Sequence, residues 1–156
     1  MTDLEATVLA GTLRGSVWAY PLVNAGHILG VALLIGSIVP LDLRLLGLWQ
    51  TVPLAPLYRV LTRTASCGLG LAIGCGMLLF ITRATHYANS SLFVAKMVIV
   101  VVGSLNALVL HLAKPDDLPL SHWTTSRLPA RIQSAACISL AAWLSALTLG
   151  RLVGYF

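Results

Sequence analysis

Four long stretches of the sequence contain almost no charged residues, and they restrict the fold more than any other feature. They run over 15–41, 64–82, 84–113 and 132–150, and Lys96 is the one charged residue inside them. Each reaches or approaches the roughly 20 apolar residues that an α-helix needs to cross a hydrocarbon core of about 30 Å. Helices are required because backbone groups in lipid must pair within their own segment, and no alternating pattern supports a barrel. The sequence therefore predicts an all-α integral membrane bundle of four transmembrane helices.

Prolines and charges mark the predicted connections between these helices. We expect helices at about 17–46, 60–82, 88–113 and 131–153, within a single transmembrane domain that covers residues 1–156. The first helix is expected to continue past Pro40, because a hydrogen bond lost near a helix end costs little. The charged residues Asp42 and Arg44 would then sit in the membrane interface.

The composition agrees with a chain surrounded by lipid. Charged residues make up 10% of the sequence and apolar residues 58%, whereas soluble domains have about 25% charged residues. The net charge is +5, but the basic residues are scattered singly, which argues against a nucleic-acid partner. Cys67, Cys75 and Cys137 all lie in apolar stretches and imply no disulfide framework.

The distribution of basic residues gives a weak prediction of orientation. One face of the membrane would carry six of them and the other four, which favours both termini on the outer side. The six are Arg44, Arg59, Arg63, Lys114, Arg127 and Arg131, and the four are Arg14, Arg83, Lys96 and Arg151.

Polar residues at bilayer depth are the informative ones, because a passive span needs only apolar side chains. On the first helix, Tyr20, Asn24 and His27 share one face. Gly26, Gly30 and Gly36 thin the same helix, so that a partner helix or a flat ligand could approach closely. His27 could bind a ligand or a redox cofactor, or simply hydrogen-bond to Asn24 or to a neighbouring helix.

The third helix carries a second polar set. Asn89, Lys96, Gly103 and Leu110 follow a seven-residue spacing, and Asn106 and His111 flank it. Lys96 could extend to the membrane surface, neutralise an anionic group such as a haem propionate, or take part in proton transfer. Asn106 is expected to hydrogen-bond between helices. His111 lies in the last turn, where a cation suits the helix dipole.

Depth limits how the two histidines can combine. His27 lies near the middle of the first helix and His111 near the end of the third, which places them roughly 17–21 Å apart along the membrane normal. One haem between them would require a shifted or broken third helix. Met77, Met97 and Cys75 lie closer to the level of His27, and such ligands suit Cu(I) or a His/Met haem.

One other group of residues has a weaker pattern. Asp42, His111, Asp116, Asp117 and His122 could converge near the third loop, where a hydrated interfacial loop is the simpler interpretation because no metal spacing rule is met. No Ser/His/Asp arrangement, phosphate loop or Cys-x-x-C motif occurs, so hydrolase and nucleotide-driven functions have no support. Whether the chain is an enzyme stays open.

The sequence resembles a family of bacterial four-helix membrane proteins that has no established activity. The resemblance lies in Trp18, Tyr20, Pro21, His27, Gly30, Gly36 and the run 42–47 (DLRLLG), in Asn89, Phe93, Lys96, Gly103, Asn106 and His111, and in Trp143, Gly150 and Arg151. It implies a multi-pass protein of the bacterial inner membrane. More distantly, the layout of His27, Gly30, Asp42 and Lys96 looks like the copper-resistance D family and the membrane haem-containing protoporphyrinogen oxidases, which implies copper handling or haem-dependent redox chemistry.

Three functional hypotheses follow. The first is a b-type-cytochrome-like redox subunit that binds haem b and passes electrons to a quinone or a partner protein. Its site would use His27, His111, Lys96, Asn24, Gly30, Gly103 and Asn106. The second is a copper-handling protein that uses His27, Met77 and Cys75. The third is a cofactor-free membrane anchor for an enzyme complex, in which the buried polar residues only fix helix packing. The partner could be a redox subunit or a second copy of the chain.

Overall fold

The computed structural model describes residues 11, 15–82, 84, 90–112 and 128–153. This part of the chain forms four helices and no strand: α1 (Ala19–Leu45), α2 (Leu54–Thr82), α3 (Ser91–Leu112) and α4 (Ala130–Leu152). All four are long and apolar enough to cross a membrane. The predicted all-α membrane fold is therefore confirmed, and the four spans return Leu152 to the face of the membrane where Ala19 begins.

Helix α1 runs unbroken through Pro40, as the sequence predicted. A proline ring inside a helix presses against the residue four positions earlier, and its missing N–H leaves the carbonyl of that residue unpaired. Here the earlier residue is Gly36, which has no side chain, and the space beside it is open. Pro40 lies near the end of α1, where one lost intrahelical hydrogen bond costs little.

Helix α2 begins at Leu54 and not near residue 60, so that boundary was predicted too late. Pro53 and Pro56 suggested a longer loop. Both fall at the start of the helix, where the first N–H groups have no intrahelical partner, so proline removes nothing that the helix uses.

The loop between α1 and α2 is held by the buried side chain of Arg44. Its Nε donates to the carbonyl oxygen of Val52 at 3.0 Å, and its Nη2 donates to that of Gln50 at 3.1 Å. Gly47 ends α1 with a φ of +106°, the left-handed conformation that glycine adopts most easily. Asp42 is buried as well, so these two charged side chains face the protein and not the membrane interface where the sequence placed them.

The four helices form a bundle that is open on one side, between α2 and α3. Helix α1 packs against both α2 and α4, and α3 packs against α4. Within the described residues, the backbones of α2 and α3 approach each other closely nowhere. The rings of Phe80 and Phe93 nevertheless stack across this gap, with centroids 5.4 Å apart. We call this gap the α2–α3 seam.

The seam between α1 and α2 is the tightest in the bundle. A Cβ atom added to Gly30 would lie 2.5 Å from the backbone nitrogen of Ala72 and 2.8 Å from the oxygen of Gly68. A Cβ atom added to Gly68 would lie 2.8 Å from the oxygen of Gly30. Small residues at this spacing let two membrane helices bring their backbones together. Gly30 therefore allows α2 to pack closely against α1.

One cluster of buried side chains joins all four helices. Leu34, Ile38 and Trp143 form its centre, with Leu69 from α2 and Val100 from α3 packed against them. We call this level of the bundle the Trp143 layer. A second cluster, around Leu41, Leu45, Leu54, Ile132 and Ala136, lies nearer the α1–α2 loop.

Candidate functional site

His27 is tied to helix α2 by its imidazole ring. Its Nδ1 lies 2.8 Å from the carbonyl oxygen of Ala72. A carbonyl oxygen only accepts hydrogen bonds, so Nδ1 carries the proton and donates it. In the neutral ring, Nε2 then holds the unshared electron pair. The hydrogen bond thus fixes which nitrogen can act as a base or as a metal ligand.

Gly76 provides the space for this ring. A Cβ atom at this position would lie 3.1 Å from His27 Cε1 and 3.2 Å from Nδ1. These distances are shorter than ordinary van der Waals contact, so a larger residue at 76 would displace the imidazole. The histidine is therefore held on one side by a carbonyl group and on the other by a glycine.

Lys96 lies over a glycine in the same way. Its side chain crosses from α3 to α4, where a Cβ atom added to Gly150 would lie 3.3 Å from Lys96 Cε and 3.4 Å from Nζ. Lys96 is the sixth residue of α3, and Gly150 is the third residue from the end of α4. The ammonium group therefore lies toward the membrane face where α1 begins, which suits a long cationic side chain.

His27 and Lys96 lie on the same side of the Trp143 layer. His27 is seven residues before Leu34 on α1, and Lys96 is seven residues before Gly103 on α3. Leu34 belongs to the buried cluster around Trp143, and Gly103 lies against the Trp143 ring. Because α1 and α3 run in the same direction, both polar residues lie between this layer and the membrane face where α1 begins.

The glycines of the other two helices complete this level. Gly76 is seven residues beyond Leu69 on α2, and Gly150 is seven residues beyond Trp143 on α4. Both helices run opposite to α1 and α3, so these positions also lie between the Trp143 layer and the face where α1 begins. We call this level the His27–Lys96 layer. Among the described residues, this layer contains the imidazole of His27 and the ammonium group of Lys96. The helices α2 and α4 each contribute a glycine to it, Gly76 and Gly150.

The two glycines predicted for the haem site, Gly30 and Gly103, are covered by neighbouring helices. Gly30 meets the backbone of α2, as described above. A Cβ atom added to Gly103 would lie 3.1 Å from Trp143 Cε2 and 3.4 Å from its Nε1. Both residues therefore hold helices together. Trp143 Nε1 itself is buried and finds no hydrogen-bond partner in the described part of the chain.

The remaining polar residues of α1 and α3 lie outside the His27–Lys96 layer. Asn106 donates from Nδ2 to the carbonyl oxygen of Ala135 at 3.0 Å, so it bonds between helices as the sequence predicted. Asn24 is exposed on the membrane-facing side of α1. His111 is in α3, and its side chain lies outside the described set, as do Asn89, Asp116, Asp117 and His122.

The sulfur residues predicted as alternative ligands differ in their surroundings. Cys75 contacts α1 at Gly26, with its Sγ 2.9 Å from where a Cβ atom would stand. Gly26 and His27 point about 100° apart around α1, so Cys75 lies on the other flank of the seam. Met77 is 63% exposed and Met97 is 38% exposed. In the described residues, no three His, Cys, Asp or Glu side chains come together as a metal site.

Sequence reasoning missed Gly76 and Ala72, and it named Gly150 only in the family resemblance, without a role. The signal for two of them was present, because Gly68, Ala72 and Gly76 repeat every four residues along α2, which is typical of a close helix contact. Gly150 had no such signal on α4 and becomes meaningful only when Lys96 is placed beside it.

No protein-family profile, curated protein or solved structure matches this chain. The resemblances drawn from individual residues therefore stay predictions, and any functional argument depends on the geometry of the His27–Lys96 layer.

Proposed function

We propose that this chain is a membrane-embedded redox subunit, b-type-cytochrome-like, in which His27 ligates haem b through Nε2. One observation carries the proposal: Nδ1 of His27 donates to the carbonyl oxygen of Ala72 at 2.8 Å. Histidines that bind metals almost always donate their other N–H to a carbonyl or a carboxylate, which orients the ring. His27 already has this support from the protein.

Lys96 supplies the opposite charge that a haem needs. It lies in the same layer as His27, near the membrane face, where its ammonium group is available to a propionate. A carboxylate at this depth is far more stable next to a cation than alone. The nitrogen ligand and the cation thus fit the two polar demands of the cofactor, and the haem itself supplies the one-electron chemistry.

The α2–α3 seam offers the space. Gly30 and Gly103 are covered, so a planar ligand cannot use them without separating helices. The α2–α3 seam, in contrast, has no close backbone contact in the described residues, and Gly76 on α2 borders it at the level of His27. This side of the bundle also faces the bilayer, where a quinone that accepts the electron is dissolved.

The proposed setting is the bacterial inner membrane with both termini on the outer side, as the distribution of Lys and Arg favours. Electrons would pass to a quinone or to a partner redox subunit. Because the number of spans is even, the start of α1 and the end of α4 lie at one face of the membrane. The α1–α2 loop lies at the other face.

An absorption spectrum tests the proposal. The full chain, purified in mild detergent from haem-sufficient cells, is expected to show a Soret band and α bands that are lost in His27→Ala. Asn24→Ala is the matched control. The structure places this polar residue on the exposed side of the same helix, so the proposed ligation through His27 does not use it and the variant should keep the bands. A colourless wild-type protein would overturn the proposal, and stoichiometric copper by elemental analysis would replace haem by copper.

A second candidate function is that of a cofactor-free anchor subunit, and the hydrogen bonds between helices support it. His27 bonds to Ala72 and Asn106 bonds to Ala135, so each of these polar groups already has a role in packing. A cofactor-free anchor subunit needs no more than this. In that case the protein is colourless, and His27→Ala lowers thermal stability without removing any spectral signal.

A further inference from the structure

The carboxyl group of Asp42 is buried between helices, near the end of the bundle that lies opposite to His27. Only 4% of the residue is exposed. Its Oδ2 is buried and finds no hydrogen-bond partner in the described residues. Fifteen residues separate it from His27 on α1, or about 22 Å along the helix. The two groups therefore belong to different sites.

Among the described residues, the groups that surround Asp42 provide no positive charge. On α4, the hydroxyl of Ser139 faces it, and Ser139 is itself 6% exposed. On α2, Tyr58 is the titratable side chain at this end of the bundle, and it interacts with Thr62. The cations of these two helices at this end of the bundle, Arg59, Arg63 and Arg131, are exposed.

Arg44 is the nearest cation along the chain, and its hydrogen bonds go elsewhere. Its Nε and Nη2 donate to the loop carbonyls of Val52 and Gln50. Among the described residues, Asp42 forms no ion pair. An ionised carboxylate buried in a membrane protein is expensive unless a cation pairs with it.

A bound proton resolves this arrangement. The neutral carboxyl group carries no charge, and its oxygens can exchange hydrogen bonds with the Ser139 hydroxyl, which both donates and accepts. We propose that Asp42 is a proton-binding site, held between α1 and α4 beside the α1–α2 loop. The site does not depend on haem, so it stands even if the function proposed above fails.

Carbodiimide labelling tests this site on the full chain in mild detergent. Dicyclohexylcarbodiimide is apolar and reacts with protonated carboxyl groups, so at near-neutral pH it should modify Asp42, as located by mass spectrometry of the peptides. The label at this position should be absent from Asp42→Asn, which keeps the shape of the side chain. Ser139→Ala removes the facing hydroxyl and should still be labelled.

Infrared spectroscopy gives a second readout that does not depend on reagent access. The wild-type protein should show a carboxylic acid C=O stretching band near neutral pH that Asp42→Asn lacks, with circular dichroism confirming that the variant is helical. A folded wild-type protein with neither label nor band would overturn the proposal, because Asp42 would then be ionised. Protection from the label by excess sodium would overturn it as well, by identifying a metal cation as the ligand.

Discussion

His27 and Ala72 are joined across the α1–α2 seam by a hydrogen bond of 2.8 Å, from the imidazole Nδ1 to a main-chain oxygen. The acceptor is a backbone group, so no substitution at Ala72 can remove it directly. The geometry of the bond depends instead on how closely the two helices approach. The glycines of the seam therefore control the orientation of the histidine.

Gly76→Leu should release His27 from this position. A side chain here would collide with the imidazole, which lies 3.1 Å from the Cβ position. We expect the Soret and α bands of the proposed haem protein to be lost. Gly74→Leu is the control, because a Cβ atom there meets nothing within 4 Å, and it should retain the bands. Equal spectra for the two variants would contradict the role given to Gly76.

Gly30→Ala should destabilise the bundle. The added methyl group would meet the backbone of Ala72 at 2.5 Å, and backbone atoms cannot move aside as a flexible side chain can. Overpacking of this kind costs about 1–3 kcal/mol. Thermal unfolding in detergent, followed by circular dichroism, should show a lower midpoint than for the wild type. Gly70→Ala, where the space is open, should not lower it.

Asn106→Leu should weaken the contact between α3 and α4. The variant loses the 3.0 Å bond to Ala135, and such bonds between membrane helices contribute about 0.6 kcal/mol on average. The expected change is therefore a small decrease in the unfolding midpoint. Thr148→Val is a useful comparison, because its hydroxyl bonds within its own helix to Leu144. A larger loss for Thr148→Val than for Asn106→Leu would argue against this assignment.

Arg44→Lys should loosen the α1–α2 loop although the charge is kept. The guanidinium group reaches two carbonyl oxygens from one planar fork, and a lysine ammonium group cannot reproduce that geometry. Hydrogen bonds to charged groups contribute about 1.5–3 kcal/mol each. Limited proteolysis should cut the segment 47–53 faster in the variant. Arg59→Lys, an exposed arginine on α2, is the control and should be cut at the wild-type rate.

Hydropathy was sufficient to predict the four membrane-spanning helices, because lipid requires long apolar helices and excludes most other structures. Position along the helix was sufficient to separate His27 from His111. The partner of His27 could not be predicted, since it is a backbone carbonyl and any residue has one. The placement of His27 and Lys96 on the same side of the Trp143 layer was also out of reach, because it depends on how α1 and α3 are offset through Trp143.

The burial of Asp42 and Arg44 was a different kind of miss. Charges near the end of a membrane helix usually lie in the interface, so their sequence position predicted exposure. The α1–α2 loop contacts Arg44 only because the loop folds back onto the end of α1. Ser139 of α4 faces Asp42 only because the two helices pack together. The sequence pattern alone holds no trace of either contact.

The open α2–α3 seam makes the surrounding lipid part of the protein's working environment. Acyl chains can reach the inner surfaces of the bundle along this side, in the way that solvent reaches a cleft in a soluble enzyme. The properties of interior groups should therefore depend on bilayer thickness and acyl saturation. Detergent micelles and native-like nanodiscs should give different behaviour for the same polypeptide.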